Sequence, residues 1–292
     1  MESQVQKVFI AGCGYIGERV GRLARQSGAE VTCMSRSREH GEKLAAEGYK
    51  TVASTLDDPT GIPALNVAGS VVYYFVPPPG GGISDPRARN FCAALGGSAA
   101  PNKIIYISAT SVYGKTGGAI VTEASPATPA SSMGKRRLDA ENTFREYGAA
   151  CGAAVIILRV SGIYGPGRLP LMQIQQQQPL LREEESGPSN RIHADDLARI
   201  CLAAAEKGQD GDIFNVSDGH PSSMTTYFNA VADILQQPRQ PLVTLEEARR
   251  VMSPLMLSYV SETRVVANSR MLERLGITLR YPTIAEGLRA SL

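Results

Sequence analysis

The sequence predicts an α/β fold built on a doubly wound parallel sheet, and three observations lead there. Short apolar, β-rich runs recur along the chain. Stretches with helical spacing of apolar residues separate them. The first run ends in a glycine-rich turn that opens directly into a helix.

The runs are KVFIAG (7–12), EVTCMS (30–35), SVVYYFV (70–76), KIIYIS (103–108) and AVIILRV (154–160). Their hydrophobicity is nearly continuous rather than alternating, as expected of parallel strands covered on both faces. A third strand is expected just before Asp57, which makes SVVYYFV the fourth. Between the runs, GERVGRLARQSG and RRLDAENTFREYGAAC place apolar residues one helical turn apart. A strand–helix–strand alternation of this kind builds a sheet with helices on both faces.

After about residue 165 the pattern weakens. Tyr164-Gly-Pro-Gly opens a loop, and QIQQQQPLLREEESGPSN follows, polar and broken by Pro and Gly. Its glutamine run is short and flanked by apolar residues, so it is read as part of a smaller second region. A helix from about 195 to 206 and a strand DIFNVS (212–217) come next, then helical pieces joined by Pro-rich turns. The expected division is a first domain over 1–165, completed by 191–217, and a smaller substrate-binding region formed by 166–190 and 218–292.

Composition narrows the function. The 292 residues are 43% hydrophobic and 20% charged, with 30 basic and 28 acidic side chains and a net charge of +2. Near neutrality gives no general attraction to nucleic acid or anionic lipid. The five cysteines (13, 33, 92, 151, 201) form no CxxC pair, and the three histidines (40, 193, 220) lack metal-ligand spacing. Neither a disulfide framework nor a metal site is expected. No apolar run is long enough to cross a bilayer, and the opening residues do not read as a signal peptide. The expectation is a cytoplasmic protein with a small-molecule substrate, contacting neither nucleic acid nor membrane.

The glycine turn, FIAGCGYIGERVGRLA, holds Gly12-x-Gly14-x-x-Gly17 between strand and helix. In that context it is a dinucleotide site: one glycine permits the turn, one lets the backbone approach a pyrophosphate, and one lets helix pack on strand. The helix start supplies free N–H groups for the phosphates. Tyr15 and Ile16 lie inside this loop. An NAD site wants a carboxylate at the end of the second strand for the ribose 2′-hydroxyl. Here MSRSRE supplies Ser35, Arg36 and Arg38, with no acid before Glu39. Arginines grip a 2′-phosphate that a carboxylate would repel, so NADP is expected over NAD. Leu56 is expected against the adenine, and Val76 and Pro77 along the cofactor trough. Ser108 and Ser161, at strand ends, complete the set.

Together these segments resemble the short-chain dehydrogenase/reductase superfamily, and within it the extended NAD(P)-dependent epimerase/dehydratase branch. GCGYIG is similar to that branch's glycine loop and ISATSVYG (107–114) to its strand-and-turn ending in VYG. TPASSMGKRRLDAE (128–141) is similar to its PxSxYGxSKxxxE segment, and LRVSGIYGPG (158–167) to its RxxxxYGPG. NRIHADDLA (190–198) and IFNVSDGHPSSM (213–224) resemble its later signatures. The resemblance covers nearly the whole chain. It implies a Rossmann-type fold, hydride chemistry at a carbinol or carbonyl carbon of a small polar, nucleotide-sugar-like substrate, and a homodimer formed through the helix carrying 133–147 and its predecessor.

The resemblance breaks at the catalytic positions. The family's proton-shuttling tyrosine falls on Met133, and the lysine one helical turn later on Arg137. A thioether carries no exchangeable proton, and a guanidinium is a poor acid–base group. The family's Ser/Thr falls on Ala109. The acids of its sugar dehydratases fall on Thr110 and Ser111, against a dehydratase. Ser111 and Tyr113, with Met133 and Arg137 at the usual positions, are the catalytic candidates; Arg137 also counts as a cofactor ligand. Tyr164, Lys135 and Asp195 are further proton sources to weigh. Tyr164, Arg168 and Arg191 are candidates for substrate contact, the arginines for an anionic group. Two readings stay open beside the enzyme: a catalytically inactive NADP(H) sensor, and a scaffold with a vestigial cleft. Asp196 is read as an N-terminal cap of its helix.

Overall fold

The computed structural model describes residues 6–95, 99–114, 116–253, 256–257, 260 and 263–292. Seven strands form one wholly parallel sheet: β1 (Lys7–Ala11), β2 (Glu30–Ser35), β3 (Lys50–Ala53), β4 (Val71–Tyr74), β5 (Lys103–Ala109), β6 (Ala154–Val160) and β7 (Ile213–Val216). Their order is β7-β6-β5-β4-β1-β2-β3. The chain winds outward from β1 to β3, then crosses back to lay β4 against the other side of β1. Between the C-terminal ends of β1 and β4 the winding reverses, which is where open sheets of this type leave a ligand crevice.

Helices cover both faces. On one, α1 (Tyr15–Gln26) and α5 (Ala194–Lys207) pack over Val8, Ile10, Ile105 and Leu158. On the other, α3 (Pro86–Leu95) and α4 (Ser132–Cys151) pack over Phe9, Tyr74 and Tyr106. A shorter helix, α2 (Arg38–Ala46), joins β2 to β3. The pattern in α1 shows how sequence makes this surface. Ile16, Val20 and Ala24 recur every fourth residue and are buried, as are Gly17 and Gly21 beside them, giving one apolar stripe that faces the sheet.

Small ladders accompany the helices in the region after β6, where helices Met224–Ile234, Leu245–Val251, Ser269–Leu275 and Ile284–Arg289 form the expected helical pieces of the tail. Gly162–Tyr164 pairs with Arg191–His193, Leu180–Leu181 with Leu242–Val243, and Pro188–Ser189 with Ser222–Ser223. Ile120–Val121 pairs with Val265–Val266 and ties the C-terminal segment to the loop after β5. Around α6 (Met224–Ile234), the residues Tyr164, Tyr227, Phe228, Val231 and Leu288 form a separate apolar cluster. These two- and three-residue strands are too short to show a period, so the sequence reading of helical pieces and turns missed them. The glutamine run holds one helical turn, Leu171–Gln175, and Gln177 is anchored by its amide to the Ile174 carbonyl.

One expectation changes at α5. Its N-cap is His193, whose Nδ1 accepts from the Asp195 N–H. Asp196 is fully buried and instead accepts the backbone N–H groups of Arg280 and Tyr281, both at 2.8 Å. It holds the C-terminal segment against the helix. That partner lies more than eighty residues away, where no local rule reaches.

Candidate active site

A cavity of about 540 Å³ opens at the β1/β4 crevice. That volume suits a cofactor or a drug-sized ligand. Gly12 and Gly14 line its floor and Gly17 packs beneath it, each for a different reason. Gly12 turns with φ +87°, and a Cβ there would meet the Val76 backbone nitrogen at 2.9 Å. At Gly17 a Cβ would lie 2.7 Å from the Gly12 carbonyl oxygen, so helix and loop pack without a side chain between them. Gly14 has nothing within 4 Å of its Cβ position and lines the cavity. It is also the N-cap of α1, with no side chain capping the helix. An uncapped helix start beside an open glycine is suited to phosphate oxygens.

Of the expected cofactor residues, Gly12, Gly14, Tyr15, Ile16, Ser35, Arg36, Leu56, Val76, Pro77 and Arg137 all line this one cavity, and Arg168 joins them. At its β2 end, Ser35 donates to the Ser37 carbonyl and Ser37 caps α2. Arg36 is exposed there. The nearest acid on the wall, Asp57, is paired with Arg87 at 2.6 Å, and Arg87 also donates to the Pro77 carbonyl. That guanidinium holds the Asp57 carboxyl below the usual carboxylate range, so this end of the cleft is left with a surplus of positive charge.

At the other end, Arg137 leans from α4 and donates to the Ile107 carbonyl at 2.9 Å. Tyr15 is flanked by two guanidinium groups, Arg19 at 4.0 Å and Arg168 at 4.5 Å from its ring centre, and its hydroxyl donates to the Pro166 carbonyl. Arg19 is in turn paired with Asp195.

Other expected residues lie elsewhere. Gly17 serves packing beneath the floor. Arg38 points to solvent and pairs with Glu42 one turn along α2, so the expected two-arginine fork is reduced to Arg36. Ser108 donates to Glu141 at 2.6 Å within the core. Ser161 donates to the Val216 carbonyl. The Tyr113 hydroxyl donates to Asn215, its ring lies beneath Arg159, and it is only 2% exposed. Burial pushes its pKa up. Tyr164 is buried against Tyr227 and His193 and raised by the same cause. Arg191 is buried over the Tyr227 ring and bonded to Ser189, so it does not reach the cavity. Ser111 is buried beside the N-terminus of α4, where its carbonyl would lie 2.5 Å from a Cβ on Gly134. Met133 is half-buried one residue away and is not on the cavity wall. The Tyr113 and Tyr164 hydroxyl groups, weighed as proton sources, are therefore engaged away from the cavity, while the Ser111 hydroxyl is buried without a hydrogen-bond partner and off the cavity wall.

Asp57, expected near the adenine, lies on this wall, while sequence reading passed over Cys13, His40, Phe75, Arg87, Ile107 and Ile163. It also passed over Glu141, which is fully buried and accepts from Ser108, Arg145 and Arg159. Both Glu141 and Arg159 stand in motifs visible in the sequence; their pairing across helix and strand was not visible there. Among the described residues no cluster of His, Cys, Asp or Glu could hold a metal ion, and no helix is long and apolar enough to cross a membrane.

A buried acid beyond the cleft gives a pH test. Asp218 is 3% exposed, and burial pushes its carboxyl up to about 6. The folded-state pKa lies above the unfolded one, so the folded protein takes up a proton first as pH falls. The destabilisation is full above pH 6 and is relieved between about pH 6 and 4. Asp218→Asn keeps the acceptor for the His220 N–H. It is expected to stabilise by about 2 kcal/mol at pH 8, the gain vanishing by pH 4, read as melting temperature against pH. A constant gain across that range would remove burial of the charge as its cause.

Residues 87–217 match the model of the NAD dependent epimerase/dehydratase family. Over 289 residues the chain is 25% identical to Protein YeeZ of Escherichia coli (strain K12), covering 95% of this chain and 97% of that one. A functionally unknown conserved protein from Silicibacter pomeroyi DSS superposes with a TM-score of 0.80 at 26% identity over 98% of both chains. The UDP-glucuronic acid 4-epimerase of Bacillus cereus, solved with UDP-glucuronic acid and NAD, superposes with a TM-score of 0.75 over 98% of both, at 19% identity. The seven-stranded parallel sheet is thus the fold these solved structures share, and the segment 87–217 within it is similar to the NAD dependent epimerase/dehydratase family.

Proposed function

We propose that the protein binds NADP(H) in this cleft and uses it on a carbonyl or carbinol carbon of a small polar, anionic substrate. When bound, the dinucleotide would supply or accept a hydride. The observation that carries the reading is the makeup of the β2 end: Ser35, Arg36, Ser37 and His40 line it, and Asp57, the acid on the cavity wall, is paired with Arg87. The 2′-phosphate of NADP suits such a wall better than the 2′-hydroxyl of NAD. The Bacillus cereus neighbour is in complex with NAD, so the preference here rests on this chain's own residues.

In this reading the uncapped α1 start and Gly14 hold the pyrophosphate, Leu56 borders the adenine, and Val76 and Pro77 border the trough. Arg137 holds the nicotinamide ribose from its anchor on Ile107. Arg168, exposed at the mouth, meets a carboxylate or phosphate of the substrate. Without a tyrosine at position 133, the proton comes from water or the substrate itself. Losing a positioned general acid costs a factor of about 10²–10⁴ in rate. A second reading, an NADP(H) sensor without turnover, is supported by the engagement of Tyr113 and Tyr164 away from the cleft. A homodimer through α3 and α4 belongs to the proposal by resemblance alone.

Fluorescence titration tests the cofactor. NADPH is expected to bind at least tenfold more tightly than NADH, and Arg36→Ala to weaken NADPH about tenfold to a hundredfold with little change for NADH. Equal loss for both would remove Arg36 from 2′-phosphate recognition. Oxidation of bound NADPH by a panel of carbonyl acids separates the enzyme from the sensor. Met133→Tyr with Arg137→Lys is expected to raise any such rate.

A further inference from the structure

Cys13 stands between Gly12 and Gly14, inside the phosphate-binding turn, and its residue lines the cavity. Its Sγ lies 2.9 Å from the Sγ of Cys33 on β2. Cys13 is 2% exposed and Cys33 fully buried, and of the two only Cys13 borders the cleft. Both are free thiols. Three contacts make this turn rigid. The Cys13 carbonyl accepts from His40 at 2.7 Å. The Gly14 N–H donates to the Gly12 carbonyl at 2.8 Å. Gly12 sits against the backbone of Val76 with no room for a side chain.

We propose that Cys13 and Cys33 form a peroxide-driven dithiol switch that controls the dinucleotide cleft. The proposal rests on the cofactor reading for its consequence but not for its chemistry. The Cys13 thiol takes one oxygen from hydrogen peroxide, giving a sulfenic acid and releasing water. The Cys33 sulfur attacks that sulfur, its proton leaves with the hydroxyl as a second water, and the S–S bond closes. Two thiols are oxidised by two electrons and one peroxide is reduced to two waters. A disulfide needs its sulfurs at about 2.05 Å, so closure draws Cys13 towards β2. The turn cannot follow without shifting the start of α1, whose first N–H groups are the ones free to meet a phosphate.

The same geometry sets the selectivity. The hydrogen bond to Cys33, and burial, push the Cys13 thiol up, which keeps it protonated and slows it towards every oxidant, peroxide included; selection by size comes from burial, Cys13 being 2% exposed. A small oxidant that enters the empty cleft is the competent one. By linkage, a bound dinucleotide covers Cys13 and slows the reaction.

The test uses the full reduced chain, treated with hydrogen peroxide with and without NADPH. The expected product has lost 2 Da and yields a peptide linking Cys13 to Cys33. Dithiothreitol should reverse it, NADPH should slow it, and the oxidised form should bind NADPH at least tenfold more weakly. In Cys33→Ala the same treatment should leave Cys13 as a mass gain of one or two oxygens, with no link. Absence of the linked peptide while Cys92, Cys151 or Cys201 are oxidised overturns the proposal. A linked form with unchanged affinity for NADPH overturns the switch. If the reduced chain binds neither NADPH nor NADH, the cofactor reading fails, and the linked peptide still decides the sulfur chemistry.

Discussion

Glu141→Ala is expected to destabilise the protein by about 3–5 kcal/mol, the usual cost of leaving a buried ion without its partner. Glu141 sits on α4 with no exposure, and its two oxygens accept from Arg159 on β6 at 3.1 and 2.8 Å. Ser108 on β5 donates at 2.6 Å and Arg145 at 3.2 Å. One carboxylate therefore ties a helix to two neighbouring strands. Its removal leaves the Arg159 guanidinium, 4% exposed, against Tyr113 with no counter-charge. The double replacement Glu141→Leu with Arg159→Met removes both charges and is expected to recover most of the loss, because an apolar pair of similar volume needs no partner. Urea unfolding followed by fluorescence and by circular dichroism reads both. An additive double variant would show that the two side chains do not act as a pair. Because α4 also carries Arg137 one turn earlier, the single variant should weaken dinucleotide binding as well.

Gly12→Ala is expected to weaken dinucleotide binding about a hundredfold or more, and to lower stability. Two independent costs meet at this residue. At φ +87° a side chain is strained by about 1–2 kcal/mol. Its Cβ would also meet the Val76 nitrogen at 2.9 Å and the Phe75 carbonyl carbon at 3.1 Å, both backbone atoms of the adjoining segment. Backbone cannot swing aside as a side-chain tip can, so the turn itself must shift and carry Gly14 with it. Calorimetric titration with NADPH, beside a thermal melt, separates the two effects. Gly14→Ala is the contrast: its Cβ position is open space, so it should melt nearly as the parent while still obstructing the pyrophosphate. Unchanged affinity in both variants would place the ligand elsewhere.

Much of the cleft was legible because its determinants are local. A glycine spacing between a strand and a helix, and the residues at the end of β2, are read from a few neighbouring positions. Strand ends then bring those positions together in any doubly wound sheet, which is why Gly12, Arg36, Val76 and Arg137 share one cavity although they are far apart in the chain. What was not legible is which polar side chains face the cleft and which face the core. Arg36 and Arg38 look alike in sequence, yet one lines the cavity and the other pairs with Glu42 in solvent. Arg168 and Arg191 were equal candidates for an anionic group; one is exposed at the mouth and the other is buried over Tyr227.

The amino-acid order alone determined the parallel α/β architecture and the glycine turn between β1 and α1, since hydrophobic period and glycine spacing act over one element at a time. Only the packed molecule decided the fates of Tyr113, Glu141, Asp196 and the Cys13–Cys33 pair. Their partners, Asn215, Arg159, the Arg280 and Tyr281 amides, and a sulfur on the next strand, arrive from distant parts of the chain. Whether a hydroxyl donates a catalytic proton or a structural one depends on the nearest acceptor in space, and that distance is set when the layers close.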